Sequence, residues 1–317
     1  MSLGIYAEGL VKQFGKTTAL RSVDLAVPAG QVVGVLGPNG AGKTTLIRIL
    51  STLLPPDAGQ AYVCGHDVVA DPVLVRRKIG LTGQYASVDA DLSGTENLVL
   101  VARLRGLSRR QARARAAQLL DRFGLTEVAG RPSRTYSGGT RRRLDLAASL
   151  AGHPQVLCLD EPTTGLDPHA RREVWREVRE LVADGVTVVL TTQYLEEADQ
   201  LADLITVIDR GRVVADGTAA ELKRRVGGHT LQIRPPTPAD LDKVAAILGR
   251  RTGFSPVEDP ATGLLTAPVT DPVLVSAVVR DLDDAGITAD ELALRLPSLD
   301  EVFLALTGQS ATAGRPS

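Results

Sequence analysis

The run Gly37-Pro38-Asn39-Gly40-Ala41-Gly42-Lys43-Thr44-Thr45 carries the residue types and spacing that most directly imply chemistry. In the order G-x-x-x-x-G-K-T, small residues leave successive backbone N–H groups free to point inward at a di- or triphosphate. The positive end of a following helix adds to the field. On this reading Lys43 bridges the outer phosphates, the Thr44 hydroxyl ligates Mg2+, and Thr45 reaches the inner phosphate. A glycine turn with a surface lysine is the alternative. The flanks weigh against it: Val32-Val33-Gly34-Val35-Leu36 reads as a buried strand and Leu46-Ile47-Arg48-Ile49-Leu50 as a helix, the setting that phosphate binding needs.

A second group of polar residues is spread along the chain. Asp160 and Glu161 end the apolar run Val156-Leu157-Cys158-Leu159. An acid at a strand end beside a phosphate loop holds Mg2+, and a second one polarises water. Ser137-Gly138-Gly139-Thr140 opens a helical stretch, and such a start is either an anion-binding helix N-terminus or an ordinary cap. Gln84 follows the strand-like Leu81-Thr82-Gly83; its amide suits Mg2+ or an attacking water, and equally suits a polar loop. Phe14 can stack on a purine base or pack as a plain core residue.

The elements that must position these groups are legible from period and punctuation. Ile5, Leu10, Leu20, Val23, Leu25 and Val27 predict short strands in an antiparallel layer ahead of the phosphate loop, with Pro28-Ala29-Gly30 as a turn. Residues 95–130 are helical in pattern and read as an insertion into the nucleotide-binding sheet. The arginines of Ser108-Arg109-Arg110-Gln111-Ala112-Arg113-Ala114-Arg115 read as a solvated helix face. A helix from His169 to Leu181, a strand Val186 to Leu190 ending at Thr191-Thr192-Gln193-Tyr194, a helix Leu195 to Leu201 and a strand-turn-strand from Leu204 to Ala215 follow.

The 317 residues suggest two domains. A net charge of −1 gives no basic surface for nucleic acid. Cys64 and Cys158 lack metal-ligand spacing and fit a reduced, cytosolic chain. No signal-peptide pattern and no apolar run near the ~20 residues of a membrane helix is present, so work at a membrane would need another, spanning subunit.

Taken together, the phosphate loop, Gln84, Ser137-Gly138-Gly139-Thr140, Asp160-Glu161 and Gly165-Leu166-Asp167 resemble, in order and spacing, the ATP-binding cassette of ABC transporters. The resemblance implies an α/β fold: a P-loop nucleotide-binding domain with an antiparallel β layer, a parallel sheet core and a helical subdomain near residues 91–150. It also implies that two cassettes pair head to tail as a homodimer. Ser137, Gly138 and Gly139 would then serve the partner's ATP, and Asp167 would lie across the dimer contact. Carried over by position, Phe14 stacks on adenine, Asp160 supports Mg2+, Glu161 is the general base, and Gln84 senses the γ-phosphate. Thr140 stands where glutamine is usual, and Gln193 where histidine is usual. An amide donates a hydrogen bond to a γ-phosphate but carries no proton, which points to slow or partner-dependent hydrolysis.

Residues 1–226 form the expected cassette, and Lys223-Arg224-Arg225-Val226-Gly227-Gly228 reads as a linker. Residues 227–308 predict a small α+β accessory and dimerisation domain of ferredoxin-like type, and 309–317 a disordered tail. Thr230 to Ile233, Leu264 to Val269 and the alternating Leu292, Leu294 and Leu296 predict strands. Between them lie two helical stripes, the second behind Asp271-Pro272 as cap and first-turn proline. Ser298 with Glu301 forms a capping box before a closing helix through Leu306. The Leu299-Asp300-Glu301-Val302-Phe303-Leu304 ending and Thr191-Thr192-Gln193-Tyr194 resemble the daunorubicin/doxorubicin resistance ATP-binding proteins. That resemblance implies an ATPase subunit, peripheral on the cytoplasmic face of the cell membrane, that powers drug export through a separate permease.

Overall fold

Two twelve-residue strands, β1 (Leu3–Phe14) and β2 (Thr17–Pro28), open the chain where apolar spacing predicts several short ones. Register shifts at Leu3/Ile5, Ala7/Leu10, Leu10/Val11 and Lys12/Gln13 explain the difference. A bulge interrupts the side-chain alternation while pairing continues on either side of it. The computed structural model of the chain describes residues 2–83, 88–226, 229–260, 262–269, 271–295, 298–299 and 302–303.

The chain divides into two units, one ending at Ala219 and the other beginning at Ala220. After β2 come β3 (Val32–Leu36), α1 (Lys43–Leu50), β4 (Ala58–Val63), β5 (His66–Asp67), α2 (Pro72–Lys78) and β6 (Ile79–Thr82). The helical insertion supplies α3 (Gly94–Leu104), α4 (Arg109–Arg122) and α5 (Gly138–Ser149). Then follow β7 (Val156–Asp160), α6 (Pro168–Ala183), β8 (Thr187–Thr192), α7 (Leu195–Leu201), β9 (Leu204–Asp209), β10 (Arg212–Gly217) and α8 (Ala219–Val226). Strands β2-β1-β4-β5 form the antiparallel layer. The second sheet runs β10-β9-β3-β8-β7-β6, parallel except at the β10 edge.

Every residue of β3, β7 and β8 is buried, as expected for parallel strands covered on both faces. Alternation sorts their side chains. Val33, Val35, Val156, Cys158 and Val189 pack with the antiparallel layer and α1. Val32, Leu157, Leu159, Val188 and Leu190 pack with the helices of the insertion and with α6. Burial of each large apolar side chain contributes about 1.5–3 kcal/mol, so the sheet is a stiff support for whatever its strand ends carry. Both cysteines are free, and burial pushes the Cys158 thiol up to about 12.

Lys223 to Val226 is helical, within α8, where its composition reads as linker. Ala219, Ala220, Glu221 and Leu222 before it are good helix formers, and the buried Leu222 anchors the helix. Beyond it lie β11 (His229–Arg234), α9 (Leu241–Thr252), β12 (Val257–Asp259), β13 (Leu264–Val269), α10 (Leu274–Asp284) and β14 (Glu291–Arg295). Their antiparallel sheet has the order β12-β13-β11-β14, the split βαβ arrangement expected from the sequence. Leu231, Ile233, Val244, Leu248, Val278 and Leu282 fill its core. Asp271 does not cap α10 directly: it accepts from the N–H of Val273 at 2.9 Å, closing a turn that precedes the helix. Leu299 and Val302 are buried, while Glu301 of the expected capping box, Leu296, Leu306 and the tail lie outside the described residues. Among the described residues no helix is long and apolar enough to cross a membrane.

Candidate active site

Strand order brings the polar groups together. In β3-β8-β7, Leu36 lies level with Thr192, and Thr191 with Asp160, so the carboxyl ends of three adjacent parallel strands open on one crevice. The Gly37-to-Thr45 loop leaves β3 there and enters α1. A Cβ on Gly37 would come 2.3 Å from the carbonyl oxygen of Ile208, and one on Gly42 2.6 Å from that of Ala19. Gly42 is the left-handed N-cap of α1 at φ 112°, and no side chain caps the helix. The glycines thus allow close backbone packing and leave the first N–H groups of α1 facing an anion.

Lys43 is 4% exposed. Its ammonium donates to the carbonyls of Gly37 at 2.7 Å and Pro38 at 3.2 Å, and lies 3.7 Å from Glu161 Oε1. Burial pushes its pKa below the ordinary lysine value, with the charges of Glu161 and Asp160 opposing. A buried ammonium held by carbonyls and a nearby carboxylate is well placed to transfer to phosphate oxygens.

The Thr44 hydroxyl donates to Asp160 Oδ1 at 3.3 Å, and the Thr191 hydroxyl to the same oxygen at 2.5 Å. Hard oxygen donors of this kind suit Mg2+, which takes one or two protein ligands and completes its shell with water and substrate phosphates. Among the described residues no three His, Cys, Asp or Glu side chains cluster as a metal site. Glu161 follows with φ 49°. Such a backbone costs about 1–3 kcal/mol and persists where surrounding contacts over-determine it. Here the Glu161 N–H donates to both the carbonyl and the hydroxyl of Thr191 at 3.1 Å, and Thr164 Oγ1 donates to Glu161 Oε2 at 3.3 Å.

The ABC transporter family profile matches residues 20–164. Over 305 residues the chain is 56% identical to a daunorubicin resistance ATP-binding protein of Streptomyces coeruleorubidus, covering 96% of each. Over 307 residues it is 52% identical to the daunorubicin/doxorubicin resistance ATP-binding protein of Streptomyces peucetius, covering 97% of this chain and 93% of that one.

The chain belongs to the ABC transporter ATP-binding family.

Among solved structures this cassette is similar to a dimeric ATP-binding cassette in a post-hydrolysis state bound to ADP and Pi. The TM-score is 0.62 at 27% identity, covering 68% of this chain and 98% of that one.

Within the cassette, Lys43, Thr44, Asp160 and Glu161 share the crevice, whereas Ser137 and Gly138 are exposed at the start of α5. Ser137 Oγ accepts from the N–H of Thr140 at 3.2 Å, capping the helix, and lies 2.8 Å from the Thr140 hydroxyl. Gly139 admits Ala170, whose Cβ would lie 3.0 Å from an added Cβ. Phe14 is 48% exposed, with the Lys12 ammonium 5.8 Å from its ring centre. It therefore has a free face, unlike a core phenylalanine. Gln193 is half-buried in the bend after β8. Gln84 lies outside the described residues.

Sequence reading missed Thr191 and Arg142. Thr191 stands two residues before Gln193, but its link to Asp160 follows only from the pairing of β7 with β8. It missed Glu197 too. This α7 residue is fully buried and accepts from Trp175 Nε1 at 3.1 Å. Burial pushes its carboxyl above the ordinary range; the Thr192 and Thr163 hydroxyls, the Trp175 N–H and the Arg171 charge oppose that shift. A folded pKa above the unfolded one means that the folded chain binds more protons in the window between them. The contribution of Glu197 to stability is therefore full below the unfolded carboxyl value and falls as pH rises through the folded one. Glu197→Gln keeps an acceptor for Trp175 and removes that dependence. From about pH 5 to about pH 8, above the range where ordinary carboxyls titrate, its melting temperature should gain on that of the unmodified chain. A pH-independent difference would show that Glu197 does not titrate in this way.

Proposed function

We propose that this chain is the ATP-hydrolysing subunit of a drug exporter of anthracycline type, working as a head-to-tail homodimer on a separate membrane permease at the cytoplasmic face. The observation that carries the ATPase reading is the convergence of Lys43, Thr44, Asp160 and Glu161 at the ends of β3 and β7. Likeness to drug-resistance proteins along both units, rather than the cassette alone, supports the cargo class.

The residues divide the work. The N–H groups of the loop from Gly37 to Thr45 cradle the phosphates, and Lys43 moves from the Gly37 and Pro38 carbonyls to phosphate oxygens. Thr44 and Asp160, with Gln84, would hold Mg2+, which would neutralise phosphate charge. Glu161 accepts a proton from the attacking water. Gln193 donates a neutral hydrogen bond to the γ-phosphate, and Phe14 stacks on adenine. Ser137, Gly138 and Gly139 of one protomer close over the nucleotide of its partner, which agrees with the exposure of Ser137 and Gly138.

A groove of about 670 Å3 lies between α2 and the insertion, lined by Leu53, Val73, Arg76, Arg77, Leu104 and Arg105. Leu53, Val73 and Leu104 are 62, 54 and 78% exposed, an apolar patch flanked by arginines of the kind that marks an interaction site. It supports docking of the permease. The test is doxorubicin efflux from cells that express this chain with its membrane partner. Efflux should require both proteins. Leu53→Asp combined with Leu104→Asp should abolish permease co-purification and efflux while leaving ATP binding intact. ATPase activity without any drug efflux would return the cargo to an open question, and undisturbed co-purification would exclude the groove.

A further inference from the structure

Three consecutive arginines, Arg141, Arg142 and Arg143, follow the helix start of α5, and helical periodicity sends them in different directions. Arg143 donates to the Phe123 carbonyl at 3.3 Å, within the insertion. Arg142 turns to the strand ends. Its Nε donates to the carbonyl of Pro162 at 2.6 Å and its Nη1 to that of Gly83 at 3.0 Å. Its Nη2 donates to the carbonyls of Glu161 at 3.2 Å and Asp160 at 3.5 Å. One planar guanidinium therefore holds three successive carbonyls of the segment that carries the carboxylates, together with the residue just before Gln84.

The Asp160, Glu161 and Pro162 carbonyls lie at or just beyond the end of β7 and that of Gly83 just beyond β6, where the sheet ladder runs out and donors come from elsewhere; the Glu161 carbonyl also accepts from the N–H of Thr164 at 3.4 Å. Arginine meets that need with five N–H groups in a fixed fork; lysine offers one compact charge. The contact also falls where the backbone is least relaxed. Glu161 has its left-handed φ of 49°, with its N–H held by Thr191 and its carbonyl held by Arg142. The direction of the Glu161 side chain is thus set from two sides, by β8 and by α5. The near end of α5 is the Ser137-Gly138-Gly139 start, five residues or fewer from Arg142 along a single helix.

We infer that Arg142 is a positioning residue that transmits the placement of the Ser137-Gly138-Gly139 helix start to the Glu161 carboxylate, so that closure of one nucleotide site sets the competence of the other. This rests on the head-to-tail dimer proposed above. Arg142 touches no reacting atom; it acts through the backbone of Glu161 and Gly83. A shift of α5 when its start meets the partner's nucleotide moves the guanidinium and the four carbonyls with it.

The test compares the full-length chain with Arg142→Met and Arg142→Lys, measuring ATPase rate against Mg-ATP concentration, nucleotide affinity and melting temperature. Arg142→Met should lower kcat at least tenfold and bring the Hill coefficient from above one to about one. Nucleotide affinity should stay within about twofold, because Lys43 and the phosphate loop are untouched. Arg142→Lys should remain slow, since charge alone does not reproduce the fork. A chain that neither hydrolyses Mg-ATP nor pairs with it overturns the proposed function itself. If the unmodified chain is active and cooperative, a wild-type kcat or Hill coefficient in either variant overturns the role of Arg142. So does a loss of kcat that merely follows a loss of affinity or of melting temperature, and so does an unmodified chain that is active without cooperativity. Should Arg142→Met fail to fold, Arg142→Lys decides the matter alone.

Discussion

Lys43→Ala is expected to weaken Mg-ATP binding roughly 30- to 4,000-fold, the span given by about 2–5 kcal/mol for truncating one partner of a buried charge-assisted contact. The ammonium is already buried and held by the Gly37 and Pro38 carbonyls beside Glu161, so little reorganisation separates its resting contacts from contacts to phosphate. Removing it leaves the loop backbone in place, because the close approaches at Gly37 and Gly42 do not involve the lysine side chain. Alanine in the first turn of α1 is also favourable for the helix. The variant should therefore fold and fail to bind, a combination checked by calorimetric titration together with far-ultraviolet circular dichroism. Binding at wild-type affinity would mean that the loop backbone alone carries the phosphate interaction.

Glu161→Gln is expected to do the reverse, retaining nucleotide while lowering kcat by about 10²–10⁴-fold, the usual contribution of a positioned general base. Glutamine has nearly the same shape and keeps an acceptor for the Thr164 hydroxyl, which donates to Glu161 Oε2. The backbone contacts to Thr191 and Arg142 do not depend on the side chain, so the unusual φ is supported as before. With binding intact and chemistry stopped, the ATP-bound homodimer should accumulate. Light scattering with and without Mg-ATP reads that mass change, and single-turnover assays read the rate. Turnover within about threefold of the unmodified chain would remove Glu161 from the role of base.

These two variants should separate binding from chemistry, and the geometry gives the reason to expect a clean separation. Lys43 comes from the loop after β3 and Glu161 from the segment after β7, with β8 between the two strands. Their side chains approach to 3.7 Å, yet each is held by its own backbone environment. A change in one leaves the other's support standing.

How much of this was legible beforehand depends on the range of the interaction. The phosphate loop announces itself because glycine spacing, a lysine and a threonine act within nine consecutive residues, and local chemistry dictates both the turn and the helix start. The Val156-to-Leu159 run with its terminal carboxylates is similarly local, as is the Ser137 cap. In the C-terminal unit the strand from Thr230 to Ile233 and stripes such as Val244 with Leu248 are similarly local. Bulges blurred β1 and β2 into short strands, since they disturb the period by which a strand is recognised. Helix formers before Gly227 extend α8 to Val226, into a segment whose composition reads as linker.

Sequence by itself therefore determined most of the strands and helices, and which residues are the candidates for phosphate, metal and proton chemistry. The tertiary structure decided who their neighbours are. No local pattern states that β8 lies between β3 and β7, because strand order is a global packing choice made by burying both faces of the sheet. That order gives Asp160 the Thr191 hydroxyl as partner and holds the N–H of Glu161. Nor does a row of three arginines disclose which one reaches the strand ends: the placement of α5 turns Arg142, and not Arg143, to the carbonyls that follow β6 and β7.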